Sequence, residues 1–324
     1  MTGIARALIT GGAGFIGSAL AERLVEEGVE VVLYDDFSTG KREFAEQLLT
    51  RRGTELVEAD VLDAGAIRQA LAGCDTVFHL AANADVREGL DHPERDLEQN
   101  ALATSRVLEA MRASGVNRIV FASTGSIYGE PELFPTPEEC LFPVQTSLYA
   151  TSKLAAEGLI SSYCHAFDFT GIVFRFVSIL GERYSHGHVY DFHRALRRDP
   201  TRLTVLGDGR QEKSYLYVGD CVGGMLTGLA QSRPGFVVYN LGTDETITVD
   251  ESLATICAEL GVDPQVEHTG GRRGWPGDSP LILLDCSKVR GLGWQPTLTI
   301  REAIIRTVRW LEQNAAVFEE LAAE

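Results

Sequence analysis

The sequence predicts an α/β fold: a doubly wound parallel sheet followed by a smaller C-terminal lobe. Short apolar runs alternate with amphipathic segments through about residue 176, which is the rhythm of successive strand–helix–strand units. Such units bring parallel strands together and cover both faces of the sheet with helices. After residue 177 this alternation stops, and glycine, proline and isolated basic residues become frequent. The two halves of the chain are therefore expected to differ in architecture.

The first strand is expected at residues 5–10, a short apolar run typical of a strand buried on both faces. A helix follows over 15–27, where apolar residues recur at helical spacing. Further strands are expected at 30–34, 55–57, 76–80, 118–122 and 172–176, and longer helices at about 94–113 and 148–167. Right-handed crossovers between these strands produce the doubly wound arrangement.

Charge and composition exclude several classes of protein. The 324 residues carry a formal net charge of −17, which disfavours binding to nucleic acid or to an anionic membrane. No apolar run reaches the ~18 residues of a membrane-spanning helix. Residues 1–6 lead directly into the first strand, so we expect no signal peptide. Six scattered cysteines without a CxxC pair indicate reduced thiols and a cytoplasmic protein.

A glycine-rich turn, TGGAGFIGS, separates the first strand from the first helix. Its glycines, Gly11, Gly14 and Gly17, allow positive φ and close approach of the backbone to phosphate. The helix that begins with Phe15 and Ile16 presents free N–H groups and its positive dipole end to a pyrophosphate. Because the pattern follows a strand and opens a helix, it predicts a dinucleotide site rather than a simple tight turn.

The second strand ends in an acidic segment that we expect at the cofactor: Asp35, Asp36, Phe37 and Ser38. An acid about 20 residues after the glycines can bind a ribose 2′-hydroxyl and repels a 2′-phosphate, which favours NAD over NADP. Lys41 and Arg42 follow and weaken this preference, and a capping role for the acid is the alternative. Asp60 and Val61 follow the third strand, where an adenine edge would lie; local capping is the alternative for Asp60.

These signals divide the chain into two parts. We expect residues 1–176 to form an NAD-binding domain of the Rossmann type, and residues 177–324 to form most of a substrate-binding lobe. Segments near 215–241 are expected to return to the sheet, so the boundary between the two parts is discontinuous.

A tyrosine and a lysine lie one helical turn apart in the helix expected at 148–167. Tyr149 and Lys153 are four residues apart and share one helix face. The pKa of a free tyrosine is ~10, and a nearby ammonium together with a cationic nicotinamide favours the phenolate. The phenolate can exchange a proton with a hydroxyl while hydride moves at the same carbon. YxxxK alone is common on amphipathic helices, but its position after the fifth strand of a dinucleotide domain indicates redox chemistry.

The fifth strand ends in the hydroxyl-rich segment VFASTGSIYG, at the sheet edge where ligands bind in such folds. A hydroxyl there can share a proton with Tyr149 and a substrate oxygen. We select Thr124 for this role and Ser126 as a second substrate contact. Local hydrogen bonding of the strand end to its own backbone is the alternative.

Together these segments resemble the extended short-chain dehydrogenase/reductase family, in its NAD-dependent nucleotide-sugar epimerase/dehydratase group, essentially from end to end. The matching segments are the glycine turn, Asp35, His79-Leu80-Ala81-Ala82, Asn100, Tyr128-Gly129, the Tyr149/Lys153 pair, Gly207-Asp208-Gly209, Tyr217-Val218-Gly219-Asp220, Pro276-Gly277-Asp278 and Leu292-Gly293-Trp294-Gln295-Pro296. The resemblance implies further cofactor contacts from Leu80, Ala81, Ala82, Asn100 and Phe176.

Within this group the chain looks most like the 4-epimerases of UDP-glucose and UDP-galactose, with Thr124, Tyr149 and Lys153 as catalytic residues. In the family, 4,6-dehydratases follow the threonine with Asp-Glu, and UDP-glucuronate decarboxylases carry a glutamate there. Gly125-Ser126 stands in this chain, which favours epimerisation through a transient 4-keto sugar. A dehydratase or a 4-dehydrogenase is the alternative among enzymes, and a non-catalytic NAD-binding sensor is the alternative of another class.

The resemblance implies a nucleotide-diphosphate sugar as substrate, with a UDP-sugar favoured. This chain departs from the family pattern at Ser178, Lys213-Ser214 and Trp275, which replace an asparagine, an Arg-Asp pair and an arginine. The expected substrate contacts are Ser126, Ser178, Arg210, Lys213, Arg273 and Asp278. We prefer Arg273 for the diphosphate, because a guanidinium binds phosphate oxygens in pairs.

Two other patterns favour packing over ligand binding. His186, His188 and His193 lie close together in sequence, but no carboxylate or cysteine shares a metal-ligand spacing, so we expect no metal. A stripe on the helix expected at 94–113 consists of Leu97, Ala101, Thr104, Leu108 and Met111. Core packing accounts for this stripe, and the resemblance also implies that this helix and the Tyr149 helix form a homodimer contact.

Overall fold

The computed structural model describes residues 3–83, 92–140, 145–275, 278–279 and 281–319. The strands of the first part are β1 Arg6–Thr10, β2 Glu30–Asp35, β3 Thr54–Glu58, β4 Thr76–His79, β5 Arg118–Thr124 and β6 Thr170–Phe176. Those that follow are β7 Ser178–Leu180, β8 Arg202–Val205, β9 Glu212–Lys213, β10 Tyr215–Tyr217, β11 Gly235–Leu241, β12 Ile247–Thr248, β13 Gln265–His268 and β14 Leu281–Ile282.

The helices alternate with these strands along the first part of the chain. They are α1 Phe15–Glu26, α2 Arg42–Leu49, α3 Ala64–Ala70, α4 Pro93–Asp96, α5 Ala103–Ser114 and α6 Leu148–Phe167. The later helices are α7 His188–Arg198, α8 Val218–Ala230, α9 Val249–Leu260, α10 Ser287–Arg290, α11 Ile300–Gln313 and α12 Ala316–Glu319. Among the described residues, no helix has both the length and the apolar character needed to cross a membrane.

Seven strands form one parallel sheet in the order β11-β6-β5-β4-β1-β2-β3, which confirms the predicted doubly wound fold. Both faces are covered: Ala7 and Ile9 of β1 belong to a core with α1, α2 and α8, whereas Leu8 belongs to a core with α3, α5 and α6. Neighbouring residues of a strand point to opposite faces. Burial on both faces therefore explains why the central strands appear in the sequence as short apolar runs.

The helix expected at 94–113 contains an irregularity that periodicity did not predict. A π-helical segment, Leu97–Leu102, joins α4 to α5. Such segments insert an extra residue into a helical turn and are frequent at functional sites. Asn100, one of the expected cofactor contacts, lies inside it.

The stripe on this helix packs mainly into the core. Ala101, Thr104, Leu108 and Met111 are buried, whereas Leu97 is 60% exposed. Four of the five stripe residues are thus accounted for by packing within the chain.

After β6 the chain forms small sheets and then returns to the large one. β7 pairs with β10, β8 pairs with β13, and β9 lies between β12 and β14. β11 then joins the large sheet in parallel with β6. Within the segment 215–241, β11 therefore lies in the large sheet, while Tyr215–Tyr217 pairs outside it.

Candidate active site

The glycine turn lies between β1 and α1 at the carboxyl edge of the large sheet. Gly11 has φ +71°, and a Cβ atom there would lie 2.8 Å from the backbone nitrogen of Ala81. A Cβ on Gly17 would lie 2.0 Å from the carbonyl oxygen of Gly11. Only glycine allows this close packing. Helix α1 begins at Phe15 without a side-chain cap, so its first N–H groups remain available to a pyrophosphate.

Asp35, at the end of β2, holds the same turn in place. Its Oδ2 accepts a hydrogen bond from the Ala13 N–H at 2.9 Å, and its Oδ1 accepts one from the Phe37 N–H at 2.9 Å. Burial raises the pKa of this carboxyl, and the two backbone donors oppose the rise. Each carboxylate oxygen retains acceptor capacity for a hydroxyl, which fits the ribose contact expected from the sequence.

The remaining residues expected near the adenosine mostly make local contacts. Asp36 Oδ1 accepts hydrogen bonds from the N–H and hydroxyl of Ser38. Asp60 Oδ1 accepts the Leu62 N–H at 2.8 Å, which is the local capping named as its alternative role. Val61 is buried.

The basic pair after β2 is already engaged. The Arg42 guanidinium lies 4.2 Å from the centre of the Phe37 ring and 2.9 Å from Glu58 Oε2. Lys41 Nζ lies 5.9 Å from the Phe318 ring centre. Asp35, in contrast, is buried and bonds directly to the turn through the Ala13 N–H.

A buried chain of hydrogen bonds connects the cofactor turn to the central helices. Thr10 Oγ1 accepts the Ala81 N–H at 3.3 Å and lies 2.7 Å from His79 Nδ1, whose Nε2 lies 3.0 Å from Thr104 Oγ1. Burial, with a smaller contribution from Lys153, lowers the pKa of His79 to about 3. His79 is therefore a neutral bridge between β1, β4 and α5.

Asn100 connects the π-helical segment to the tyrosine helix. Its side chain accepts the Asn83 N–H at 3.0 Å and donates to Ser152 Oγ at 2.8 Å. Ser152 Oγ in turn donates to the Tyr149 carbonyl at 2.8 Å. Leu80 and Ala82 lie in the segment directly after β4, which ends at His79. Phe176 is the last residue of β6.

The three candidate catalytic residues lie on two elements that pack together. Thr124 ends β5, and Tyr149 and Lys153 lie on the first two turns of α6, which packs against β5 and the turn Gly125–Tyr128. The Ser147 side chain caps α6 by accepting the Ala150 N–H. Thr124 Oγ1 accepts the Ser126 N–H at 3.1 Å, so the local bond named as an alternative is present and leaves the Thr124 hydroxyl proton to donate elsewhere.

Burial acts on Tyr149 and Lys153 in opposite directions. Desolvation lowers the pKa of the Lys153 ammonium to about 7, and the charge of Glu157 opposes this. Desolvation raises the pKa of Tyr149 above its ordinary value, and the charge of Asp96 adds to the rise. The chain by itself thus keeps Tyr149 protonated. A phenolate near neutral pH therefore requires a further positive charge, and the cationic nicotinamide expected from the sequence would supply one.

Gly125 is enclosed where it follows Thr124. A Cβ atom there would lie 3.3 Å from Leu284 Cδ1 and 3.3 Å from the Phe176 carbonyl oxygen. Any side chain at this position requires Leu284 to move. The chain therefore leaves little space for an acidic group directly after the threonine.

The residues expected to bind substrate largely bind one another. Lys213 Nζ lies 2.7 Å from Asp278 Oδ1 and also donates to the Ser279 carbonyl. Asp278 Oδ2 accepts the Gly274 N–H at 3.0 Å. Arg273 donates to the Asp278 carbonyl at 2.7 Å and forms an ion pair with Glu130.

Two of the other three expected substrate residues, Ser178 and Arg210, are more open, and Ser126 is half-buried. Ser178 and Arg210 are both exposed, and the Arg210 backbone N–H donates to Asp208 Oδ1 at 3.0 Å. Lys213, Arg273 and Asp278 thus come together in one loop cluster, and among the described residues neither Ser178 nor Arg210 forms a side-chain bond within it.

The three histidines do not converge on one point. His188 lies between Ser252 Oγ at 2.7 Å and the Tyr215 hydroxyl at 3.1 Å. His193 pairs with Glu312 at 2.7 Å, and His186 lies against the Tyr184 ring. Within the described part of the chain, no three metal-ligating side chains come together.

Sequence reasoning missed the buried polar residues beneath the site. Glu157 accepts hydrogen bonds from the Ser123 hydroxyl and from Arg175, whose Nη2 lies 2.7 Å from Glu157 Oε2. Asp96, which is buried, accepts the Asn83 amide at 3.0 Å. One signal was available for Glu157, because Tyr149, Lys153 and Glu157 recur every four residues on one helix face.

Comparison with known proteins finds similarity along most of the chain. The sequence profile described as the NAD dependent epimerase/dehydratase family matches residues 7–242. A UDP-glucose 4-epimerase of Mycolicibacterium smegmatis is 32% identical over 320 residues, covering 96% of this chain and 99% of that protein.

Two solved structures show the range of similar folds. A UDP-glucose 4-epimerase of Thermus thermophilus in complex with NAD has a TM-score of 0.85 at 34% identity and covers 95% of this chain and 99% of that one. A dTDP-glucose 4,6-dehydratase of Streptomyces venezuelae with NAD bound has a TM-score of 0.90 at 27% identity and covers 98% of this chain and 99% of that one. The fold is thus shared by epimerases and a dehydratase.

Proposed function

The chain belongs to the NAD dependent epimerase/dehydratase family, and from this premise we propose that it is a nucleotide-sugar 4-epimerase of the UDP-glucose/UDP-galactose type. The observation that carries the choice of reaction is Gly125. It follows Thr124 in a position enclosed by Leu284 and the Phe176 carbonyl, so no acidic side chain stands where the dehydratase pattern has one.

The cofactor site is proposed for NAD. The turn of Gly11, Gly14 and Gly17, with the uncapped start of α1, holds the pyrophosphate, and Asp35 binds the ribose. NAD bound there would supply the chemistry of hydride acceptance from the sugar and hydride return to it. The Gly11 and Gly17 contacts support this fit, because a Cβ on either residue would fill the space into which the turn folds.

Tyr149 and Thr124 are proposed to handle the proton. Tyr149 accepts the proton of the C4 hydroxyl while hydride leaves C4, and the Thr124 hydroxyl stabilises the same oxygen through a hydrogen bond. A 4-keto sugar results. Once the keto sugar has turned over to present the opposite face of C4, Tyr149 would return its proton to the oxygen. The Lys153 ammonium, 4.2 Å from the centre of the Phe121 ring, favours the phenolate form of Tyr149.

The diphosphate is proposed to bind at the cluster of Lys213, Arg273 and Asp278. Lys213 is paired with Asp278, which also accepts the Gly274 N–H, so we assign the phosphate contact to Arg273. Arg273 would exchange its contact with Glu130 for phosphate oxygens.

The two partners proposed for the protein are a nucleotide-diphosphate sugar and a second copy of the chain. Exposed Leu97, Leu102 and Leu148 support a homodimer through the central helices.

The test is a screen of the purified protein against UDP-, dTDP-, GDP- and CDP-sugars, with products separated by chromatography and weighed by mass spectrometry. We expect UDP-galactose and UDP-glucose to interconvert without a change of mass and without net NADH release. A product lighter by one water would identify a dehydratase, and stoichiometric NADH would identify a dehydrogenase. A protein that retains NAD but converts no sugar would fit the non-catalytic sensor.

A further inference from the structure

A buried polar cluster lies beneath the candidate catalytic residues, and we call it the Glu157 network: Ser123, Tyr128, Glu157, Arg175 and Asn240. Arg175 donates to both carboxylate oxygens of Glu157, at 3.1 Å from Nε and 2.7 Å from Nη2. It also donates at 2.7 Å to the Tyr128 hydroxyl, which donates at 2.9 Å to Asn240. The Ser123 hydroxyl donates to Glu157 Oε1. All five residues are buried.

The position of Glu157 links two elements of the site. Ser123 directly precedes Thr124 on β5, and Glu157 lies one turn after Lys153 and two turns after Tyr149 on α6. One carboxylate therefore joins the strand that carries Thr124 to the helix that carries Tyr149. Arg175 attaches the same carboxylate to β6, and Asn240 extends the connection to β11.

A gain in folding stability does not account for the buried ion pair of Glu157 and Arg175. Glu157 and Arg175 are each 4% exposed, so both charges lose nearly all of their hydration. The attraction within a buried ion pair roughly offsets that loss, and apolar residues of similar volume often stabilise a fold as well or better. The network instead fixes orientation, because the planar guanidinium of Arg175 and the carboxylate of Glu157 meet in a bidentate geometry. That geometry sets the relative orientation of the two elements that carry them.

We propose that Glu157 is a positioning residue that holds α6 against β5 at the distance where Thr124 and Tyr149 can reach one substrate oxygen. This inference rests on the proposed function, since it takes Thr124 and Tyr149 to act on the same oxygen. Glu157 itself touches neither substrate nor cofactor in this proposal. A misplacement of ~1 Å between reacting groups can reduce a rate about 100-fold, so the alignment has a measurable effect.

The test compares variants of the holoenzyme in steady-state kinetics. Glu157→Gln keeps the shape of the side chain and removes its charge, and Ser123→Ala removes only the bond to β5. Each is expected to lower kcat about 10- to 100-fold while KM and bound NAD change less than about twofold. Glu109→Gln is the matched control: Glu109 also accepts from an arginine and a hydroxyl, Arg112 and Tyr163, but on the exposed side of α5. We expect it to retain kcat.

A double-mutant cycle with Thr124→Val separates positioning from a merely structural role. If Glu157 acts by aligning Thr124, the loss from Thr124→Val is much smaller in the Glu157→Gln background than in the wild type. The proposal would be overturned if the losses in kcat of the two single variants multiply in the double variant. A folded Glu157→Gln enzyme with normal kcat would also overturn it. Should Glu157→Gln fail to fold, the same cycle is run with Ser123→Ala.

A crystallographic readout keeps this inference separate from the assignment of function. Absence of sugar conversion by the wild type refutes the proposed function, whereas the positioning role is still read from the structures of the wild type and Ser123→Ala. We expect the distance from Thr124 Oγ1 to Tyr149 Oη to change in the variant. An unchanged distance would refute the positioning role.

Discussion

Lys213 and Asp278 form a nearly buried ion pair, with Nζ 2.7 Å from Oδ1, although the sequence predicted each as a separate substrate contact. Burial lowers the pKa of Lys213, and the charge of Asp278 opposes this. Asp278 also accepts the Gly274 N–H, so the pair fixes the loop that presents Arg273.

Lys213→Met should therefore weaken both the fold and the substrate site. Removal of the ammonium leaves the Asp278 carboxylate buried without its partner, which typically costs about 3–5 kcal/mol. We expect a lower free energy of unfolding in urea and a higher KM for the nucleotide sugar. Lys213→Met with Asp278→Asn should lose less stability than the sum of the single variants; additive losses would contradict the coupling.

Arg273→Ala should raise KM roughly 10- to 100-fold with a smaller change in kcat, since a charged hydrogen bond to phosphate is worth about 1.5–3 kcal/mol. Glu130→Gln is the informative companion, because Glu130 holds the same guanidinium. We expect Glu130→Gln to leave KM unchanged or lower it. An unchanged KM in Arg273→Ala would leave Arg210 or Lys213 as the diphosphate ligand.

Tyr149→Phe should reduce turnover by at least ~10²-fold while NAD stays bound, because the phenol is the group expected to exchange the C4 proton. The ring remains to fill its place on α6, so the free energy of unfolding serves as the control for folding. Near-normal epimerisation by this variant would remove Tyr149 from the mechanism.

The pKa of Lys153 predicts a pH dependence of stability in nucleotide-free protein. Burial lowers it to about 7, whereas the pKa of an unfolded lysine is about 10.4. Between these values the unfolded state binds more protons, so the free energy of unfolding rises with pH, by at most ~1.4 kcal/mol per pH unit for one group. Buried thiols with raised pKa values oppose this above about pH 8.5, so the useful window is pH 7 to 8.

Lys153→Met provides the comparison for that slope. Its free energy of unfolding should rise less steeply from pH 7 to 8 than that of the wild type, because one titrating group has been removed. Denaturant titrations at several pH values measure the difference. Equal slopes would mean that Lys153 keeps an ordinary pKa in the folded chain.

Denatured protein should release NAD or NADH and not NADP. We expect Asp35 to repel a 2′-phosphate, and Arg42 contacts Glu58 and the Phe37 ring. Liquid chromatography of the supernatant identifies the nucleotide. Retained NADP would show that Lys41 or Arg42 outweighs Asp35.

The sequence alone determined the features that depend on neighbouring residues. The apolar runs predicted the strands of the large sheet before residue 177, and β2 and β4 differ from their predicted ends by a single residue. The glycine turn and the Tyr149/Lys153 spacing were equally local, because a turn needs its glycines in place and residues four apart share a helix face.

The tertiary structure decided what depends on residues far apart in the chain. Lys213 and Asp278 are 65 positions apart, and Ser123 and Glu157 are 34 apart. No periodicity encodes such pairs, because loops and crossovers bring them together. The pKa shifts of Tyr149 and Lys153 were equally inaccessible, since desolvation depends on every element packed around a group rather than on its sequence neighbours.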